Sequence, residues 1–207
     1  NIFFIETLKE INPDIVILTE TNSIIDLGDE YSTLSTDILP EPETNDNIIY
    51  KLGENRVSIF SKNPFTRKLP TYNRFRAVCA ETTTEFGTLI VYGTVTGYLG
   101  GKLDPFAKDF ESQMKDLETF SKLGNVCYSG DLNITFSGYT YPSKIYREKA
   151  VLNFEKLSMK NVTENIKDSV IHIVLSNSFL EAKVPDATSV KYDEKLTDHN
   201  LIVLTLK

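Results

Sequence analysis

The sequence predicts an α+β fold, a four-layer α/β/β/α sandwich in which two mostly antiparallel, mixed sheets pack face to face with helices outside. Three observations lead there. Strand-like segments rich in β-branched and aromatic residues outnumber helical ones. The helical segments are interspersed between strands without strict βαβ alternation. The 207 residues, 41% hydrophobic and 25% charged, suffice to bury one sizeable core in a single domain over 1–207, with no repeat, linker or low-complexity tract.

The elements follow in chain order. Ile2, Ile5, Leu8 and Ile11 recur every three residues with Glu6, Lys9 and Glu10 between them, the inner stripe of a helix over 1–11. Asn12-Pro13 ends it. Ile15-Val16-Ile17-Leu18 is a continuous apolar run of strand length, the pattern of a strand buried on both faces, and it delivers Thr19-Glu20-Thr21-Asn22 at its end. Residues 22–46 are polar and turn-rich, with Gly28, Pro40 and Pro42, and read as loop with room for one short strand. Strand-like segments at 47–52, 56–60, 76–84 and 87–95 are punctuated by Gly53, Pro64 and Gly87. Asp104-Pro105 supplies a cap followed by proline at the first helical position, Phe106, Phe110, Met114 and Leu117 repeat at helical spacing, and Gly124 marks the stop. Val126-Cys127-Tyr128 is a short strand running into Gly130-Asp131-Leu132-Asn133; 147–159 is helical, and 169–175 and 200–206 are strands.

Composition narrows the function. A net charge of −7 argues against a sequence-blind nucleic-acid coat, whose affinity comes from Lys and Arg neutralising phosphates. No apolar run approaches the roughly 18 residues of a membrane span, and no secretion signal is evident, so the expected location is cytoplasmic. Cys79 and Cys127 lie in apolar strands without a second Cys or a His at ligand spacing, and read as core thiols.

Three acidic clusters stand at the ends of apolar strands: Glu20, Asp131 with Asn133, and Asp198 with His199. A rigid strand aims a carboxylate while the following loop leaves room for substrate. Carboxylate and amide oxygens without thiolates suit Mg²⁺ or Mn²⁺ better than zinc. Taken alone, an Asp in a Gly-Asp-Leu-Asn turn is more often an ordinary turn former. Together, Asn12-Pro13-Asp14-Ile15-Val16-Ile17-Leu18-Thr19-Glu20-Thr21, Gly130-Asp131-Leu132-Asn133 and Thr197-Asp198-His199 resemble, in order and spacing, the endonuclease/exonuclease/phosphatase (DNase I-like) superfamily. Arg56-Val57-Ser58-Ile59-Phe60-Ser61 resembles its mid-sheet strand, and Ile171-His172-Ile173-Val174-Leu175-Ser176 the strand before the last motif.

The resemblance implies a metal-dependent phosphodiester hydrolase, with nucleic acid or another phosphodiester as partner. In that reading Glu20 binds the metal, Asp131 orients or deprotonates the attacking water, Asn133 holds a phosphate oxygen, His199 binds or protonates the phosphate, and Asp198 lies close to the metal. The chain departs from the pattern in three places. The family usually opens with a strand carrying an Asn that helps bind the metal, and this sequence starts after that point, on the helix, so that strand either precedes these residues or is lacking in this variant. Val95 stands where many members carry His, with Tyr98 a nearby substitute. Ile171 stands where an Asp usually partners the catalytic His. Arg74 and Arg76, flanked by Tyr72 and Phe75, offer cations and stacking faces for a substrate, or equally a solvated strand edge. A phosphatase acting on phosphoinositides or small phosphate esters, and a catalytically weakened binding protein of the same fold, remain open alternatives.

Overall fold

The computed structural model describes residues 2–39, 50–97, 103–191, 197 and 199–207. Helix α1 (Ile2–Ile11) ends where Asn12 turns left-handed (φ 51) and its N–H closes on Leu8 O at 2.8 Å, with Pro13 barring continuation. Strand β1 (Ile15–Asn22) pairs antiparallel with β3 (Glu54–Ser61), and β2 (Ser32–Ser35) flanks β3 on its other side. A second, six-stranded sheet is built from β4 (Phe65–Leu69), β5 (Ala77–Thr84), β6 (Gly87–Val95), β7 (Val126–Asp131), β8 (Met159–Asn161) and β9 (Ile171–Ser176), in the order β4-β5-β6-β7-β9-β8. Helix α2 (Leu103–Phe120) carries the chain from β6 to β7, and that crossover makes the pair parallel; the other pairs of this sheet are antiparallel. Helix α3 (Lys144–Lys156) precedes β8, the short α4 (Asn177–Leu180) follows β9, and β10 (Pro185–Val190) pairs antiparallel with β11 (Leu201–Leu206).

Three apolar clusters hold these elements together. Phe106, Phe110, Met114 and Leu117 of α2 and Ala150 and Phe154 of α3 pack on Ile90, Tyr92, Tyr128 and Val174 of the six-stranded sheet. The other face of that sheet, through Leu89, Val91, Val95 and Cys127, meets Ile17, Val57 and Ile59, with Leu204 and Leu206 of β11 alongside. Helix α1 covers the far side of β1 and β3 through Leu8, Val16 and Phe60. Strand β6 shows why a period of two suits this arrangement: Ile90 and Tyr92 face the helices, while Leu89, Val91 and Val95 face the three-stranded sheet. Each such side chain contributes about 1.5–3 kcal/mol by leaving water. Gly93 belongs to the second series, and a Cβ there would lie 2.8 Å from Val57 Cγ1 and 3.2 Å from Ile59 Cγ1, so the sheets close tightly only over glycine. The expectation of an α+β sandwich with outer helices is met. Among the described residues no helix is long and apolar enough to cross a membrane.

Several boundaries differ from the sequence expectation. Of the strand expected over 47–52, residues 47–49 lie outside the described residues and 50–52 lead into a turn at Gly53 (φ 79), with Leu52 98% exposed. Strands β4, β8 and β10 go beyond the sequence expectation: β8 has three residues, and β4 and β10 carry Arg67, Lys68 and Asp186 toward solvent, so none shows a clean apolar alternation. Helix α3 starts at Lys144, earlier than expected, because Ser143 caps it by accepting the Tyr146 N–H.

Candidate active site

The site begins at the end of β7, where backbone geometry leaves little choice. Gly130 has φ 136, and a Cβ there would collide with the Thr94 carbonyl of the parallel neighbour β6. Asp131 is the last strand residue, opposite Val95 on one side and Ile171 on the other, and its carbonyl accepts the Thr96 N–H at 2.8 Å. Leu132 and Ile134 then sink into the helix-facing core, so the intervening Asn133 is turned the other way, in a left-handed conformation (φ 49).

The Asp131 carboxylate, 7% exposed, is fixed by its neighbours. Oδ1 accepts the Asn133 backbone N–H at 3.0 Å, Oδ2 accepts the Asn133 amide at 3.2 Å, and Oδ2 also lies 3.7 Å from His199 Nε2. The Asn133 amide donates in addition to the Thr96 carbonyl at 2.9 Å. A carbonyl can only accept, so the amide nitrogen faces Thr96 and Asp131, and Oδ1 is the atom Asn133 has left to offer. His199, 29% exposed just before β11, is anchored by its own N–H to Thr197 Oγ1 at 3.1 Å. The imidazole therefore has a carboxylate partner, Asp131, although Ile171 removes the one expected from the strand before the last motif.

Glu20 sits near the end of β1, also left-handed (φ 50) within a strand, which for a non-glycine residue costs about 1–2 kcal/mol and is more common at functional positions. Its carboxylate accepts from Arg56 Nη1 at 3.2 Å. One step along the ladder Thr21 and Asn55 face each other, and Thr21 Oγ1 and Asn55 Oδ1 are buried with no hydrogen-bond partner among the described residues. Among the described residues no three acidic, His or Cys side chains gather closely enough to cage a metal. The half-exposed Glu20 carboxylate is an oxygen donor of the hard type that suits Mg²⁺ or Mn²⁺.

The other candidates divide. Asp198 and Tyr98 lie outside the described residues. Arg74 is 75% exposed, paired with Asp37 at 3.2 Å and stacked 5.0 Å from the Phe75 ring centre. Arg76 is 22% exposed and pairs with Asp109, which also accepts the Gly97 N–H at 3.0 Å, so this arginine helps fix the chain leaving β6. Val95 is buried between the sheets. His172 is fully buried away from this cluster: Nε2 faces the carbonyls of Ile134 (3.0 Å) and Ser169 (2.9 Å) and so carries the proton, while Nδ1 meets the Thr163 hydroxyl at 3.0 Å. Burial lowers its pKa to about 4, against the pull of the two carbonyls. Sequence reasoning assigned no role to Arg56 or Thr96; the polar Asn55-Arg56 ahead of an apolar run was the only local signal.

No family model matches the chain, and no curated protein matches it in sequence. Solved structures do match in backbone. The endonuclease/exonuclease/phosphatase from Beutenbergia cavernae DSM 12333 superposes with a TM-score of 0.63 at 14% identity, over 99% of this chain and 65% of that one. Humanized D. rerio TDP2 carrying 14 mutations gives 0.65 at 14% identity, over 99% and 89%. The endonuclease domain of TRAS1, a telomere-specific non-LTR retrotransposon, gives 0.65 at 12% identity, over 97% and 88%. The chain thus spans about two thirds of the first of these, and it has the endonuclease/exonuclease/phosphatase (DNase I-like) fold.

Proposed function

We propose that the chain is a divalent-metal-dependent phosphodiester hydrolase, most simply a nuclease, with Glu20, Asp131, Asn133, Asp198 and His199 as its site. The observation that carries this reading is the cluster at the end of β7, where the nearly buried Asp131 carboxylate is held by two Asn133 N–H groups and faces His199 Nε2. A nearly buried carboxylate, an amide fixed by two acceptors and an imidazole gathered at one strand end support catalysis over a simple turn.

Hydrolysis needs an oriented water and dispersal of charge on the phosphoryl oxygens. Asp131 accepts the proton of the attacking water. Asn133 Oδ1 accepts a hydrogen bond from the same water, because both amide N–H bonds are committed to Asp131 and Thr96. That differs from the phosphate-holding role implied by the family resemblance. His199, when protonated beside Asp131, donates to a phosphoryl oxygen. Glu20 would hold a divalent cation, Mg²⁺ or Mn²⁺, which when bound would supply Lewis-acid neutralisation of the phosphate charge. The exposed Arg74 and its stacked Phe75 offer a contact to the substrate backbone.

The test is hydrolysis of plasmid DNA, single-stranded RNA, an abasic duplex and inositol phosphates with Mg²⁺ or Mn²⁺ by the parent, Asp131→Asn and His199→Ala. Each variant should lower turnover of the accepted substrate by about 10²–10⁴. Turnover restricted to inositol phosphates would favour the phosphatase reading. Nucleic-acid binding without any turnover would favour a weakened binding protein, and undiminished activity in both variants would refute the site.

A further inference from the structure

Arg56 is absent from the mechanism above, yet it holds the carboxylate that the mechanism gives to a cation. Its side chain is 11% exposed, against 57% for Glu20. Nη1 donates to Glu20 Oε1 at 3.2 Å, Nη2 donates to the Tyr50 hydroxyl at 3.3 Å, and the guanidinium lies 5.3 Å from the centre of the Tyr50 ring. The contact is imposed by strand pairing. Glu20 and Arg56 lie between the pairs Thr19–Val57 and Thr21–Asn55, which hold the two residues side by side, so this is no chance meeting of two long surface side chains. Glu20 is also held in a left-handed conformation that non-glycine residues rarely adopt.

A guanidinium and a divalent cation repel each other on one carboxylate. A guanidinium also binds a phosphate as well as it binds a carboxylate, through the same planar fork. We propose that Arg56 is a phosphate-binding residue that guards Glu20. Without phosphate, its guanidinium neutralises the carboxylate and keeps cation affinity low. An incoming phosphodiester takes Nη1 from Glu20 while Tyr50 retains the other arm of the fork, and the released carboxylate accepts the cation. Phosphate and cation therefore bind cooperatively, each raising the affinity for the other by the same factor. This rests on the reading of Glu20 as the cation-binding residue.

The experiment is a Mn²⁺ titration of the full chain, followed by the electron paramagnetic resonance of free Mn²⁺, with and without dimethyl phosphate. Dimethyl phosphate should tighten Mn²⁺ binding to the parent about fivefold or more. Arg56→Gln should bind Mn²⁺ about tenfold more tightly without phosphate and lose the coupling, since the guarding charge is gone. Arg56→Lys, which keeps the charge and the buried stem, should retain the weak parental affinity, and so provides a reading if the glutamine variant fails to fold. Parental affinity in Arg56→Gln, or no effect of dimethyl phosphate on the parent, overturns the proposal. If in that case Glu20→Gln still abolishes binding, the cation reading stands and only the role of Arg56 falls. If no form binds Mn²⁺ at millimolar concentration even with dimethyl phosphate, or Glu20→Gln binds as the parent does, both fall together.

Discussion

Replacing His172 with Gln tests the structure at a point independent of catalysis. The imidazole is fully buried, edge-on to Phe136 at 4.7 Å, with Nε2 between two carbonyls. Burial lowers its pKa from 6.5 to about 4. Between those values the unfolded chain binds a proton at this residue that the folded chain does not, so stability is lost as pH falls. At 1.36 kcal/mol per pH unit the full window amounts to about 3 kcal/mol, intact above pH 6.5 and gone near pH 4. Gln keeps an N–H donor but does not titrate. Urea unfolding of parent and His172→Gln, followed by circular dichroism from pH 7 to pH 4.5, isolates the effect, because His199, Asp116 and every other titrating group is common to both and cancels. At pH 7 the variant should be less stable by about 2 kcal/mol, through imperfect replacement of the imidazole contacts. That deficit should shrink by about 1.4 kcal/mol for each pH unit lost near pH 5 and reverse by pH 4.5. A difference that stays constant with pH would mean that His172 titrates alike in both states, and the burial argument would be wrong.

Ile171→Asp places a second carboxylate directly across the ladder from Asp131, on the same sheet face. It should stabilise protonated His199 and move the pH optimum of hydrolysis upward by about one unit, at a stability cost of about 1–3 kcal/mol; an unchanged profile in a folded variant would show that Ile171 does not face the histidine. Gly130→Ala forces a Cβ against the Thr94 carbonyl at φ 136, and should lower unfolding stability by about 2 kcal/mol or more; a loss below about 0.5 kcal/mol in urea would contradict the tight turn. Burial raises the pKa of Cys79 and pushes that of Cys127 up to about 12, so iodoacetamide at pH 8 should label neither thiol until the chain unfolds, as mass spectrometry would report. Rapid labelling of the native chain would place one of them at the surface.

Some of this protein is written locally. The three-residue stripe of α1, the Phe106 to Leu117 face of α2 and the apolar runs of β1, β6 and β7 each state which face must leave water, and that is enough to determine an α+β sandwich with polar groups delivered at strand ends. The Gly-Asp-Leu-Asn motif is legible in the same way, but the reason position 130 must be glycine, the Thr94 carbonyl of β6 against it, lies across the sheet. Partners chosen across the fold are a different matter. Arg56 reaches Glu20 over 36 positions through strand register, His199 meets Asp131 because β11 and β7 come to a common region, Arg76 pairs with Asp109 on α2, and His172 is enclosed by Ser169, Thr163 and Ile134. The polar edge strands β4 and β10 became strands only by pairing with β5 and β11. Hydrophobic periodicity encodes burial one residue at a time, whereas a hydrogen bond or ion pair depends on which two segments are brought into register. Local pattern therefore determined the layers and the positions of Glu20 and Asp131, and tertiary packing alone decided which charges those carboxylates meet.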